Sequence, residues 1–223
     1  MESNRKSTPN RRLTSGKPQV ASRERGSPPR VSRVHLALES LITFPGESMK
    51  TNRKTLEKVW SKVNEKELVA LAMALVDSHS PTGKEEEVAR LCVDWLNERD
   101  IPAFYQEVEP GRGNVVGRLK GSGDGPILMF NCHLDTALSG DPTDAMFAGP
   151  LRPEWKSEAR RKGGLIFGSG IFNDKGPFAS VLIAAHALKK AGVKLAGDIL
   201  LTGVCSEIGR APVDQYQGGA HRG

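Results

Sequence analysis

The chain has 223 residues and a formal net charge of +6, with 38% hydrophobic and 26% charged residues, which allows one ordinary domain, or one domain plus a tail. No apolar run approaches the roughly 18 residues that a helical membrane span needs. Three cysteines, Cys92, Cys132 and Cys205, with no C-x-x-C pair exclude a disulfide scaffold and a zinc ribbon and point to a reducing, cytoplasmic setting.

The charge is unevenly placed. Residues 1–48 hold nine Lys and Arg against four acids, which leaves only +1 for the rest of the chain. This basic stretch is also rich in Ser and Pro, cannot bury enough apolar surface to offset its ordering entropy, and is expected to be a disordered tail. It lacks interleaved aromatics, so nucleic acid is not an expected partner. Glu2, Glu24 and Glu39, with no small-residue cleavage site, argue against a targeting peptide. Patterned sequence starts directly after Met49, so Met49 reads as the start of the protein and residues 1–48 as an untranslated extension; the intact mass of the natural product checks this.

From Lys54, the residues Leu56, Val59, Trp60 and Val63 recur at helical spacing. Asn64, with Glu67 three residues later, looks like an N-cap opening a second helical stretch, Leu68 to Val76. Ser80-Pro81-Thr82-Gly83 breaks the pattern, and Thr82 with Glu85 predicts a capping box before a helix carrying Val88, Leu91, Trp95 and Leu96. Two extended runs, Ala103 to Glu107 and Asn114 to Leu119, joined by Pro110-Gly111-Arg112-Gly113, read as a hairpin. The continuous apolar run Pro126 to Cys132 reads as a buried central strand. Residues 140–164 are Pro-rich and charged and read as a loop or insertion. Leu165 to Phe167 reads as a short strand, Pro177 to Ala191 as a helix ended by Gly192, and Asp198 to Cys205 as another buried strand. This alternation predicts an α/β/α sandwich around a mixed, mainly parallel sheet.

Three polar clusters fall at the carboxyl ends of these strands, where α/β sheets collect reactive groups. In Asn131-Cys132-His133-Leu134-Asp135-Thr136, residues i and i+2 of an extended chain point the same way, so Asp135 can fix the tautomer of His133 and raise its basicity as a metal ligand. An H-x-D triplet carries little by itself, and a strand-end His is more often simply hydrogen-bonded. The second cluster, Gly168-Ser169-Gly170-Ile171-Phe172-Asn173-Asp174-Lys175-Gly176, is a glycine-rich turn into a helix. It lacks both the third glycine of a dinucleotide fingerprint and the G-K-[ST] of a phosphate loop. In the third, Cys205-Ser206-Glu207-Ile208-Gly209, a carboxylate leaves a buried strand into a glycine turn; alone, it would pass for a solvated loop acid. Cys132 and Cys205 read as small apolar residues ending core strands rather than as nucleophiles. His186 inside a helix and His79 at a helix end read as structural.

Taken in order, S-P-T-G, H-L-D-T, G-x-G-x-x-N-D-K-G and S-E-I-G resemble the zinc-dependent peptidase and deacylase family that includes acetylornithine deacetylase, succinyl-diaminopimelate desuccinylase, aminoacylase and glutamate carboxypeptidase, over roughly residues 60–210. The resemblance implies an α/β catalytic domain with two bridged zinc ions, with cobalt or manganese as alternatives, and a smaller lid domain that often forms a homodimer. It implies hydrolysis of an amide bond in an acylated amino acid or small peptide, with no nucleic acid or membrane as partner. It makes His133 a ligand of one metal, Asp135 the group orienting it, and Glu207 a ligand of the other.

Two departures from the family pattern stand out. Aligning Lys175-Gly176 with the family's Asp-x-Lys-Gly puts Asn173 where the bridging carboxylate belongs, with Asp174 one residue late. A neutral amide offers no charge to two dications. Ser206 stands where the family has its general-base Glu, and a serine hydroxyl cannot hold a proton near neutral pH. The family's remaining acid and histidine have no counterpart, since His221 comes too early. Residues 49–223 therefore read as the N-terminal portion of a catalytic domain, and the chain as written is expected neither to turn over nor to hold two metals firmly. A half-built sheet is expected to leave the strand from Asp198, or a neighbour, as an apolar edge. The competing expectation is a non-catalytic relative that uses the fold for binding.

Overall fold

The computed structural model describes residues 53–140, 142–150 and 152–208. The expectations for residues 1–48, Met49 and His221 lie outside these. No described helix is long and apolar enough to cross a membrane.

Helix α1, Arg53–Trp60, leads into α2, Glu65–Asp77. Asn64 caps α2 as its spacing predicts, its side-chain oxygen accepting the N–H groups of Lys66 and Glu67, two of the donors a helix start otherwise leaves unpaired. Helix α3, Glu86–Asn97, buries Val88, Ala89, Cys92 and Leu96 along one stripe. Strands β1, Ala103–Glu109, and β2, Arg112–Leu119, form the expected antiparallel hairpin. Strand β3, Leu128–His133, follows. The stretch read as a loop contains a 3₁₀ turn at Pro142–Asp144, a one-turn helix α4 at Ala145–Ala148, and a second 3₁₀ turn at Pro153–Trp155. Strands β4, Arg160–Lys162, and β5, Leu165–Phe167, pair antiparallel as a separate ribbon. Helix α5, Gly176–Lys190, carries Pro177 at its start, where a missing N–H costs nothing, and gives way after Ala191 to Gly192 at φ 61°. Strand β6, Ile199–Val204, completes the main sheet.

That sheet has the order β1-β2-β6-β3. It is mixed, as expected, but mainly antiparallel: β2 pairs with both β1 and β6 antiparallel, and only β3 runs parallel to β6. The sequence expectation of a mainly parallel sheet fails because the β1–β2 hairpin contributes two of the three pairings. The helices found on the sheet share one face. Gly117 and Val115 lie two apart on β2, opposite Leu201 and Gly203 of β6. A Cβ on Gly117 would meet Leu96 of α3 at 2.7 Å, and one on Gly203 would meet Leu134, Val115 and Phe178 of α5 at 2.8–2.9 Å. Only glycine lets α5 lie this close to β6. Among the described residues the arrangement is thus two layers, not the three of an α/β/α sandwich.

The core between these layers is built from Leu71, Leu75, Val88, Leu96, Val115, Phe178, Leu182 and Leu201, each worth roughly 1.5–3 kcal/mol when taken from water. Strand β6 lies inside the sheet and is buried, as predicted. Strand β3 corrects the expectation of a buried central strand: it is an edge, and its apolar residues Leu128, Met129 and Phe130, with Ile127 before them, are exposed. The predicted apolar edge therefore exists, and it is β3, the neighbour of the strand from Asp198.

Candidate metal centre

His133 ends β3 at the point where the strand turns back into the protein, and only 6% of it is exposed. Its Nδ1 lies 3.0 Å from the main-chain oxygen of Asp135 and 3.4 Å from Oδ1 of the same residue. A carbonyl oxygen can only accept, so Nδ1 carries the hydrogen in the neutral ring and Nε2 is left with its lone pair. That is the tautomer a metal ligand needs, held by the residue that the H-x-D spacing points to.

Asp135 is fully buried. Its carboxylate accepts from Thr82 Oγ1 at 2.6 Å, from the Glu207 N–H at 3.1 Å and from the Ile208 N–H at 2.9 Å. Burial would raise its pKa, but these bonds and the one to His133 favour the charged form and hold it well below the usual carboxylate range. Asp135 thus orients His133 on one side and fixes the turn that carries Glu207 on the other.

The turn to Asn173 depends on the two glycines of Gly168-Ser169-Gly170. Gly168 (φ 147°) and Gly170 (φ 79°) adopt conformations that a side chain disfavours, and a Cβ there would approach Val76 to 2.3 Å and Thr136 to 2.9 Å. The chain then enters a turn, Ile171–Lys175, in which Asn173 departs from helical geometry at φ −145°, ψ 98°. Lys175 anchors it from below, buried, with Nζ donating to the Ser78 carbonyl at 2.7 Å at the end of α2. Asn173 Oδ1 is placed 3.1 Å from His133 Nε2. Asp174 faces elsewhere: its Oδ2 accepts the main-chain N–H of His133 at 3.3 Å. Glu207 reaches toward the same imidazole nitrogen, with Oε2 at 3.8 Å and a side chain 60% exposed.

Three donors therefore gather on one side of His133: imidazole Nε2, an amide oxygen and a carboxylate oxygen. Ligands around a tetrahedral zinc-like ion with bonds of about 2.0–2.1 Å stand about 3.3 Å apart, and the two separations of 3.1 and 3.8 Å bracket that spacing. Asn173 and Glu207 each stand from Nε2 at about the spacing that two ligands of one divalent ion would have. Among the described residues no three His, Cys, Asp or Glu side chains converge to hold a metal, because the third donor is Asn173 and Asp174 is turned to the strand.

Ser206 does not stand where a general base would have to reach water. It is 1% exposed, adopts φ 62°, and its main-chain N–H donates to Glu85 Oε1 at 3.2 Å. The capping box expected of Thr82 and Glu85 is also absent: Thr82 spends its hydroxyl on Asp135, and Glu85 accepts the N–H groups of Gly83 and Ser206. Nothing in the residue pattern by itself places Thr82, Glu85 or Arg112 at the site. Only the S-P-T-G turn, already part of the resemblance, pointed to this segment. His79, bonded to Ser157 Oγ, and His186, beside Glu67 and edge-on to Trp95, stay away from the cluster. Burial pushes the Cys132 thiol up to about 12 and raises that of Cys205, so both are neutral thiols. A cleft of about 370 Å³ opens beside Asn173, lined by Thr136, Leu138, Trp155, Phe167 and Phe172.

Buried groups make stability pH-dependent in a way that can be read stepwise. Burial alone would lower the His133 pKa, but Asp135, Asn173 and the charge of Glu207 push it from 6.5 to about 9. The folded state then holds a proton that the unfolded chain loses above pH 6.5, and stability falls as pH rises from there to about 9. Burial lowers Lys175 from 10.5 to about 8; there the unfolded chain holds the extra proton, so its contribution rises with pH and offsets that of His133 between about 8 and 9. Burial raises both Cys92 and Cys132 from 9.0 to about 12, and these two outweigh Lys175 above pH 9. Urea unfolding of the metal-free protein should show lower stability at pH 10 than at pH 7, with the fall slowed where Lys175 opposes it. A monotonic rise across this range would contradict the assignments.

No protein-family model matches the sequence. The chain is 32% identical over 152 residues to N-formyl-4-amino-5-aminomethyl-2-methylpyrimidine deformylase of Bacillus subtilis (strain 168), a match covering 65% of this chain and 33% of that protein. It is 30% identical over 118 residues to a Pyrococcus abyssi protein that carries the name of a LysW-lysine/LysW-ornithine hydrolase, covering 53% of this chain and 28% of that one. The chain thus spans about a third of the length of the curated relatives it matches. Among solved structures, aminopeptidase PepT from Bacillus cereus superposes with a TM-score of 0.50 at 24% identity, over 65% of this chain and 37% of that one. Human carnosine dipeptidase 1 superposes at 0.55 with 17% identity, over 73% and 36%; these two likenesses establish the fold. The relatives are hydrolases of amide bonds, and over the matched segment the chain is similar to them, in line with the peptidase and deacylase family that its motifs resemble.

Proposed function

We propose, from that similarity and the cluster at His133, that the protein is a metal-dependent hydrolase of amide bonds in acylated amino acids or small peptides. His133 Nε2, Glu207 and Asn173 would hold a zinc ion, or cobalt or manganese in its place. Asp135 keeps Nε2 free for that ion by taking the hydrogen of Nδ1 on its main-chain oxygen. A bound divalent cation supplies Lewis acidity to the scissile carbonyl. Thr82 and the 206–208 turn hold Asp135 and Glu207 in register, while the cleft beside Asn173 offers the substrate a largely apolar wall. The three buried cysteines, none of them bridged, support a reducing, cytoplasmic compartment.

The observation that carries this reading is the convergence of an imidazole nitrogen, an amide oxygen and a carboxylate oxygen at metal-ligand spacing. Its test is zinc binding by His133→Ala, measured by competition with a chromogenic chelator. Removing the best donor should weaken zinc at least tenfold to a hundredfold, as disturbing the partners of a metal site already does. Zinc stoichiometry and affinity equal to those of the parent protein would refute the assignment. Zinc-dependent release of amine from a panel of N-acetyl amino acids would favour the hydrolase over a metal-binding relative and overturn the expectation that the chain as written does not turn over.

A further inference from the structure

Beneath the Glu207 turn lies a buried polar cluster that the proposed chemistry does not use. Glu85 is fully buried at the start of α3. Its Oε1 accepts two main-chain N–H groups, from Gly83 at 2.9 Å and from Ser206 at 3.2 Å, residues 121 positions apart in one case. Behind it stands Arg112 at the head of β2, only 5% exposed, with Nε 3.7 Å from Glu85 Oε2 and Nη1 donating to Glu109 Oε2 at 2.8 Å. Glu85 Oε2, Arg112 Nε and Nη2, and Ser206 Oγ have no hydrogen-bond partner of their own.

Such a pair is a poor way to gain stability, since taking both charges out of water costs most of what their attraction returns. What it does supply is direction. Ser206 adopts φ 62°, a conformation that a non-glycine residue keeps only where its surroundings enforce it. The carboxylate of Glu85 enforces it through the Ser206 N–H. The next two N–H groups, of Glu207 and Ile208, go to Asp135, so three successive amides of the turn are held by two buried carboxylates. With these amides fixed, the Glu207 side chain projects toward His133 Nε2.

We propose that Glu85, backed by Arg112, is a positioning residue that clamps the 206–208 turn and so aims Glu207 at the candidate metal. The Thr82–Glu85 segment then works as a two-pronged staple: Thr82 holds Asp135, and Glu85 holds the turn that Asp135 also grips. This deepens the reading of His133, Glu207 and Asn173 as a metal centre and rests on it.

The test compares Glu85→Gln and Glu85→Ala with the parent chain by two measurements, amide hydrogen exchange in the metal-free protein and zinc affinity by chelator competition. Gln keeps an oxygen acceptor but loses the charge that roughly doubles the strength of such a bond. Exchange at Ser206 should therefore quicken several-fold relative to Leu201 in the core, with zinc affinity within threefold of the parent. Ala removes the acceptor: Ser206, Glu207 and Ile208 should lose protection together, and zinc should weaken at least tenfold. A role confined to general stability would instead lower unfolding free energy in both variants and quicken Ser206 and Leu201 alike. Unchanged Ser206 exchange in Glu85→Gln, or parent-like zinc affinity in a folded Glu85→Ala, overturns the proposal. Should the parent bind no zinc, the metal-centre reading falls, while the exchange comparison still decides whether Glu85 clamps the turn.

Discussion

Replacing Asp135 by alanine is expected to cost about 3–5 kcal/mol of stability, the range found when one member of a buried charged network is removed. The carboxylate is fully buried and serves Thr82, Glu207 and Ile208 at once. Its loss takes the acceptor from three part-buried donors at once, each costing up to about 1–3 kcal/mol to the extent that it stays unpaired inside the protein. It also removes the charge that faces Nδ1 of His133 at 3.4 Å. Urea unfolding near pH 7 measures the first effect, and zinc titration of whatever folded fraction remains measures the second. Asp135→Asn separates them, since one oxygen can still accept a turn N–H while the charge is gone; it should lose less stability than the alanine variant and still hold zinc more weakly than the parent. A loss below about 1 kcal/mol for Asp135→Ala would mean that Thr82 and the 206–208 turn are held by other contacts.

How far such a site can be read from sequence depends on whether its determinants are local. Asn64 caps α2 through amides two and three residues on, and the helices and the β1–β2 hairpin follow from spacing and turn residues in the same way. The run Ile127–Phe130 is different. An uninterrupted apolar stretch reads as buried on both sides, but burial is a property of what stands beside a strand, and nothing in those residues says that β3 has a neighbour on one side only. Thr82 and Glu85 make the same point at shorter range. Their spacing matches a capping box, yet partners 53 and 121 residues away took both side chains, because buried carboxylates and orphan amides at the sheet's end are worse left unpaired than a helix start exposed to water. His133 and Asp135 were legible because a two-residue spacing on an extended chain fixes their relation. Asn173 and Asp174 were not separable by sequence, being adjacent, and only the backbone at Asn173 decides which side chain faces Nε2 and which turns to the strand.

That distinction makes Asn173→Asp the sharpest experiment on the site. Asn173 Oδ1 lies 3.1 Å from His133 Nε2, so an aspartate there puts a carboxylate among the donors with scarcely any change of shape. A dication gains an anionic ligand in place of a neutral one, and oxygen donors that bridge metal ions are carboxylates for this reason. The new charge also strengthens the hold of His133 on its own proton, and that proton must leave before Nε2 can bind metal. The two effects oppose each other at neutral pH and separate as pH rises. Zinc affinity of Asn173→Asp should exceed that of the parent by at least tenfold at pH 9, about 1.4 kcal/mol, with a smaller gain at pH 7. Asp174→Asn should leave zinc affinity within a few-fold of the parent, since its carboxylate is engaged with the His133 main chain. If Asn173→Asp changes nothing at either pH while Asp174→Asn abolishes binding, then Asp174 is the ligand, and the turn must rearrange when metal enters.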